Sequence, residues 1–126
     1  YALELALEKD GEIGAVVMET IRNTDVQIPP VDYYRNVREL CDRYGALLIL
    51  DETAIGLGKT GRMFAFEHYG IVPDMVVLGK GLGGGVFPMS ALLANGKLDV
   101  AGHTSIGHYT HEKSPVGAAA ALAAIG

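Results

Sequence analysis

The sequence contains one cysteine, Cys41, in 126 residues, which excludes a disulfide framework and a cysteine-built zinc site. Cations are scarce as well. Ten Lys and Arg stand against fifteen Asp and Glu, for a formal net charge of −5, the wrong sign for a nucleic-acid surface. No apolar run reaches the ~18–20 residues needed to cross a bilayer, so no membrane partner is expected. The opening stretch Tyr1–Lys9 has no basic n-region and already carries charge, which is not the pattern of a signal peptide. There are no internal repeats and no linker that would divide the chain. Apolar residues are abundant, at 49%, and so is glycine, at 17 positions. These features imply a soluble, cytoplasmic α/β protein of one domain or a piece of one.

The order of elements follows from periodicity. Tyr1–Lys9 alternates Leu and Ala with Glu and reads as a helix, and Ile13–Met18 reads as a short strand ending at Glu19. Pro29-Pro30 ends a loop. A helix is expected over Tyr33–Tyr44, with Asp32 as N-cap, Gly45 as the C′ residue, and residues 33, 37, 40, 41 and 44 on its apolar face. Cys41 on that face is a core residue by this reading. Ala46–Leu50 is continuously apolar and then meets Asp51, the pattern of a parallel strand covered on both faces. A short helix is expected near Phe64–Tyr69, a buried strand over Asp74–Leu78, and an irregular or edge strand over Val86–Ala94, where Pro88 forbids a central position. After the loop 95–114, Pro115 opens an Ala-rich helix. Strand, helix, strand over Ile13–Glu52 is a βαβ unit.

Several motifs are decoys. Gly56–Gly61 and Gly79–Gly84 both fit GxGxxG, but neither stands between a strand and a helix as a dinucleotide fingerprint must. Gly58-Lys59-Thr60 looks like the end of a Walker A loop, yet Thr53 stands where its first glycine belongs. His103, His108 and His111 with Glu112 lack the helical spacing of a metal site, so no metal is expected.

Two charged residues close buried strands: Asp51 after LLIL and Lys80 after MVVLG. In doubly wound sheets ligands bind at that edge. Such a pair can form an ion pair or lean out to water. It can also serve pyridoxal phosphate (PLP), with Lys as Schiff base and Asp on the ring nitrogen. The glycines around Lys80, Gly79, Gly81 and Gly83–Gly85, favour the last reading, because they let a ligand approach the backbone.

The segment ALLILDETAIGLGKTG, Ala46–Gly61, followed by MFAFEHYGIVPDMVVLGKGLGGG, closely resembles the class III (ornithine/GABA-type) aminotransferases of PLP fold type I. Their pattern is LLIxDEVQTGxGRTG followed by FAxEHxGxxPDxxxxxKxxGGG, and the resemblance runs from Glu19 to the Ala-rich helix. It implies the mainly parallel sheet of the PLP-binding large domain, with residues 1–126 forming its central portion. It implies an aminotransferase that moves an amino group between an amine or amino acid and a keto acid. Asp51 would hold the pyridine nitrogen, Lys80 would form the Schiff base and move the α-proton, and Thr110 would meet the cofactor phosphate. In that family the threonine comes from the neighbouring subunit, so a homodimer is implied. Glu19 and Glu52 match family acids and are expected to be structural.

The departures from the pattern carry their own expectations. Ala54 stands where the family has a glutamine at the ring hydroxyl, leaving room for another group such as Thr53. Thr24 falls where ornithine/GABA-type members have an acid. The loop His108–Lys113 is more polar than the family's glycine-rich version. An ammonia-lyase, epimerase or decarboxylase of the same family is therefore the alternative, and a non-catalytic α/β ligand-binding module is the alternative from another class. Chains of this family are several times longer, so these residues in isolation are expected to be weakly active or inactive and to leave buried sheet faces exposed.

Overall fold

A computed structural model describes residues 1–105, 107–110 and 112–126. Its centre is a four-stranded sheet in the order β1 (Ala15–Glu19), β2 (Leu47–Asp51), β3 (Met75–Leu78), β4 (Ala91–Ala94). β1, β2 and β3 are parallel and β4 is antiparallel at the edge, so the expected mixed but mainly parallel α/β architecture is present. α2 (Tyr33–Tyr44) makes the crossover from β1 to β2. It ends at Gly45 in the left-handed conformation, φ 71°, whose amide donates to the Cys41 carbonyl.

One face of the sheet is covered. Val16, Leu48, Leu50, Val76 and Leu78 are buried there. The first three pack with Tyr34, Val37 and Cys41 of α2 and with Leu7 of α1 (Ala2–Lys9). The last two pack with Ala121 of α3 (Pro115–Ile125) and with Leu82. Each fully buried leucine contributes about 1.5–3 kcal/mol. By strand alternation the opposite face carries Val17, Ile49, Met75, Asp51 and Val77. It is open, with Val17 64% exposed. The expectation that β2 is covered on both faces therefore does not hold within this chain, because its helices all lie on the same side. The exposed sheet face anticipated for these residues alone is what results. α3 is apolar all round and likewise leaves Val116, Leu122 and Ile125 in the open.

Three local readings are corrected. The buried stripe of α2 is Tyr34, Val37 and Cys41, while Tyr33 and Tyr44 are 43% and 37% exposed. The helix is turned toward Tyr34 because that hydroxyl donates to the Glu19 carbonyl at 2.6 Å, which lets the whole ring be buried without an orphaned polar atom. Asp32 sits at the N-cap position with helical backbone, φ −81°, and its side chain makes no capping bond. Its carboxylate lies 3.8 Å from Arg35 instead. The edge strand begins only at Ala91, since Pro88 has no N–H to pair.

A charged clamp holds α2 to the sheet. Asp74, just before β3, accepts from Arg38 Nη1 at 2.6 Å and from the Leu48 amide at 2.7 Å. Arg38 also reaches Asp42 at 2.7 Å. Partial burial acts to raise the Asp74 carboxyl, but the Leu48 amide and the Arg38 guanidinium outweigh it and hold it below the ordinary carboxylate value.

Candidate active site

The parallel register sets the site. Glu19, Asp51 and Val77 are direct neighbours across β1, β2 and β3. The chain then runs Leu78, Gly79 and into a 3-10 turn that begins at Lys80. Asp51 and Lys80 thus both stand at the carboxyl edge of the parallel strands, as the sequence predicts. Asp51 is half-buried, and its Oδ1 accepts the Thr53 amide at 2.8 Å. Lys80 is exposed and has φ +43°, a left-handed backbone unusual for a residue with a side chain. Strain of this kind costs on the order of 1–3 kcal/mol and concentrates at functional sites.

Neither residue enters an ion pair among the described residues. The first of the open readings, a mutual Asp51–Lys80 ion pair, is therefore not formed. Thr53 lies between them: its amide holds Asp51, and its methyl packs on Gly79, where an added Cβ would come within 2.9 Å of Cγ2. Ala54 is half-buried, and its carbonyl accepts from Lys59 Nζ at 3.0 Å.

Glu52 is 1% exposed. Its Oε1 accepts from the Thr20 hydroxyl at 2.9 Å and the Phe66 amide at 2.8 Å, and its Oε2 from the Ala65 amide at 2.7 Å. The structural role expected for this acid is the one it plays here. Glu19 is exposed, and its side chain accepts the Asn23 amide at 3.1 Å.

Thr110 is exposed in the segment between β4 and α3, and no hydrogen bond among the described residues joins it to Asp51 or Lys80. His103 and His108 are exposed, and His111 lies outside the described residues. Among the described residues no group of three His, Cys, Asp or Glu could hold a metal, and no helix is long and apolar enough to cross a membrane. Cys41 is fully buried, and burial pushes its thiol up. Gly56–Gly61 begins several residues past β2, and Gly79–Gly84 forms a 3-10 turn that leads on to β4, so neither segment opens an α-helix.

A cleft of about 520 Å³ lies beyond the end of β1; Glu19, Arg22, Gln27, Pro30, Tyr33 and Tyr34 are among its lining residues. Its only sequence signal is Arg22 three positions past a strand end.

PLP asks for a carboxylate at its ring nitrogen and a primary amine at its aldehyde. Asp51 and Lys80 supply both groups from one sheet edge without engaging each other, so the residues present fit the cofactor.

Comparison with known proteins points the same way. The family model described as "Aminotransferase class-III" matches residues 1–126. The (R)-1-hydroxy-2-aminoethylphosphonate ammonia-lyase of Vibrio splendidus is 47% identical over 121 residues, covering 96% of this chain and 25% of the relative. The acetylornithine aminotransferase of Methanopyrus kandleri is 43% identical over 123 residues, covering 95% of this chain and 31% of the relative. The ornithine aminotransferase of Toxoplasma gondii, solved with partial occupancy of PLP at its active site, superposes with a TM-score of 0.87 at 37% identity. That match covers 98% of this chain and 29% of that one. The chain thus spans between a quarter and a third of the length of these proteins.

Proposed function

The chain belongs to the class-III aminotransferase family, and on that premise we propose that it is the central portion of the PLP-binding large domain of a cytoplasmic, homodimeric aminotransferase. The substrates are an amine or amino acid and a keto acid. The observation that carries this reading is the placement of Asp51 and Lys80 on one sheet edge, uncommitted to each other.

When bound, PLP supplies an aldehyde that captures amines and a ring that accepts electrons. The chain's own residues do the rest. The Asp51 carboxylate, oriented by the Thr53 amide, would keep the proton on the pyridine nitrogen and so keep the ring electron-withdrawing. The Lys80 amine would hold the cofactor at its aldehyde carbon, and its Nζ, when free, would take and return the substrate α-proton. The Thr110 hydroxyl would donate to the cofactor phosphate of the neighbouring subunit, an arrangement that calls for a dimer.

A second reading, elimination of ammonia, is favoured by Ala54, which puts a methyl where the family pattern has a glutamine side chain. The two readings separate in one assay of the full-length protein. An amine donor is incubated with and without a 2-oxo acid while ammonia and new amino acid are followed. New amino acid that requires the 2-oxo acid supports transamination. Ammonia released in its absence supports the lyase and overturns transamination.

A further inference from the structure

Among the described residues, Glu52 is the one charged side chain that is fully buried, and the chemistry above does not use it. It is 1% exposed, and among the described residues it has no ion-pair partner. Burying such a group is costly unless its oxygens are filled, and here both are, by a hydroxyl and two backbone amides. The donors come from different segments. Thr20 directly follows β1 and Glu19, while Ala65 and Phe66 open the 3-10 turn Ala65–Tyr69. Glu52 itself directly follows Asp51, and its own amide donates to the Val77 carbonyl at 2.9 Å, on the strand that leads to Lys80. The chain then wraps over it, with the Ile55 and Gly56 amides on its carbonyl at 3.2 and 2.8 Å. A Cβ at Gly56 would come within 3.2 Å of Oε2.

We propose that Glu52 is a positioning residue: its carboxylate ties the end of β1 and the turn Ala65–Tyr69 to the end of β2, where its own backbone amide bonds β3, so that Asp51 and Lys80 address one cofactor. The proposal rests on the reading of Asp51 and Lys80 given above. The chemistry demands a carboxylate. The two backbone amides bond different oxygens, and a carboxamide has only one. Either orientation of a glutamine would set its NH2 against an N–H.

The test uses the full-length protein and the variants E52Q and T20V, at a temperature where circular dichroism shows each to be folded. The readouts are the PLP dissociation constant and the pH midpoint of the bound PLP absorbance. E52Q is expected to weaken PLP binding roughly 10–100-fold and to shift the midpoint. T20V leaves both amides bonded and is expected to weaken binding about 2–10-fold, with a midpoint shift in the same direction. Wild-type affinity and midpoint in E52Q, with only a lower melting temperature, would overturn the proposal. If E52Q does not fold, wild-type values in T20V overturn it. D51N and K80A report on the underlying reading: wild-type PLP affinity and absorbance in both would mean that the assignment of the site itself has failed.

Discussion

The Thr53 methyl lies against Gly79 so closely that a Cβ on Gly79 would fall 2.9 Å from Thr53 Cγ2. This contact couples the residue that holds Asp51 to the residue that precedes Lys80, and it favours glycine at position 79 for reasons of space. Gly79→Ala is expected to destabilise the protein by about 1–3 kcal/mol, the usual cost of overpacking. Adding Thr53→Ser removes the obstructing methyl and is expected to recover most of that loss. Urea unfolding of the two single variants and the double variant checks this as a double-mutant cycle. Additive losses would show that the contact does not set the requirement.

Asp74 makes stability depend on pH in a direction that can be worked out. Its carboxyl is held below its ordinary value in the folded protein, so in acid the native state binds fewer protons than the unfolded one. Its contribution is complete above the unfolded carboxylate range and is lost as pH falls through the lower folded value. Asp74→Asn is expected to cost about 1.5–3 kcal/mol at neutral pH, the scale of charged hydrogen bonds. The gap between variant and wild type should narrow below about pH 4. Unfolding curves for both proteins at several pH values measure it, and a gap constant down to acid pH would contradict the clamp.

The rotated face of α2 predicts a contrast between adjacent tyrosines. Tyr34 is 1% exposed and donates to the Glu19 carbonyl, whereas Tyr33 is 43% exposed. Tyr34→Phe is expected to cost about 1–2 kcal/mol by leaving that carbonyl without its donor. Tyr33→Phe should stay within about 0.5 kcal/mol of wild type. Thermal unfolding of the two variants decides it.

The parts of the fold legible in the sequence are those set by local pattern. The 3.6-residue period of Tyr33–Tyr44 with Gly45 behind it, the apolar run before Asp51, and the apolar run before Lys80 each correspond to an element in place. Asp51 and Lys80 could be put on one edge because parallel strands joined by a crossover point the same way. What was not legible depends on contacts between segments. The rotation of α2 is set by a hydrogen bond to β1. The open sheet face depends on where the helices fall. The demand on Gly79 comes from Thr53, far away in sequence. Glu52 could be marked as structural, but its donors Thr20, Ala65 and Phe66 share no local pattern with it. Thr110 was placed by resemblance alone, in a segment without regular structure to fix it.

Everything proposed for this protein depends on Lys80 being the amine that captures PLP. The direct measurement is borohydride reduction of the full-length protein incubated with PLP, followed by peptide mass mapping. A single pyridoxyl adduct is expected, on Lys80, absent from Lys80→Ala. An adduct on Lys59, Lys97 or Lys113 in place of Lys80, or no adduct at all, would contradict it.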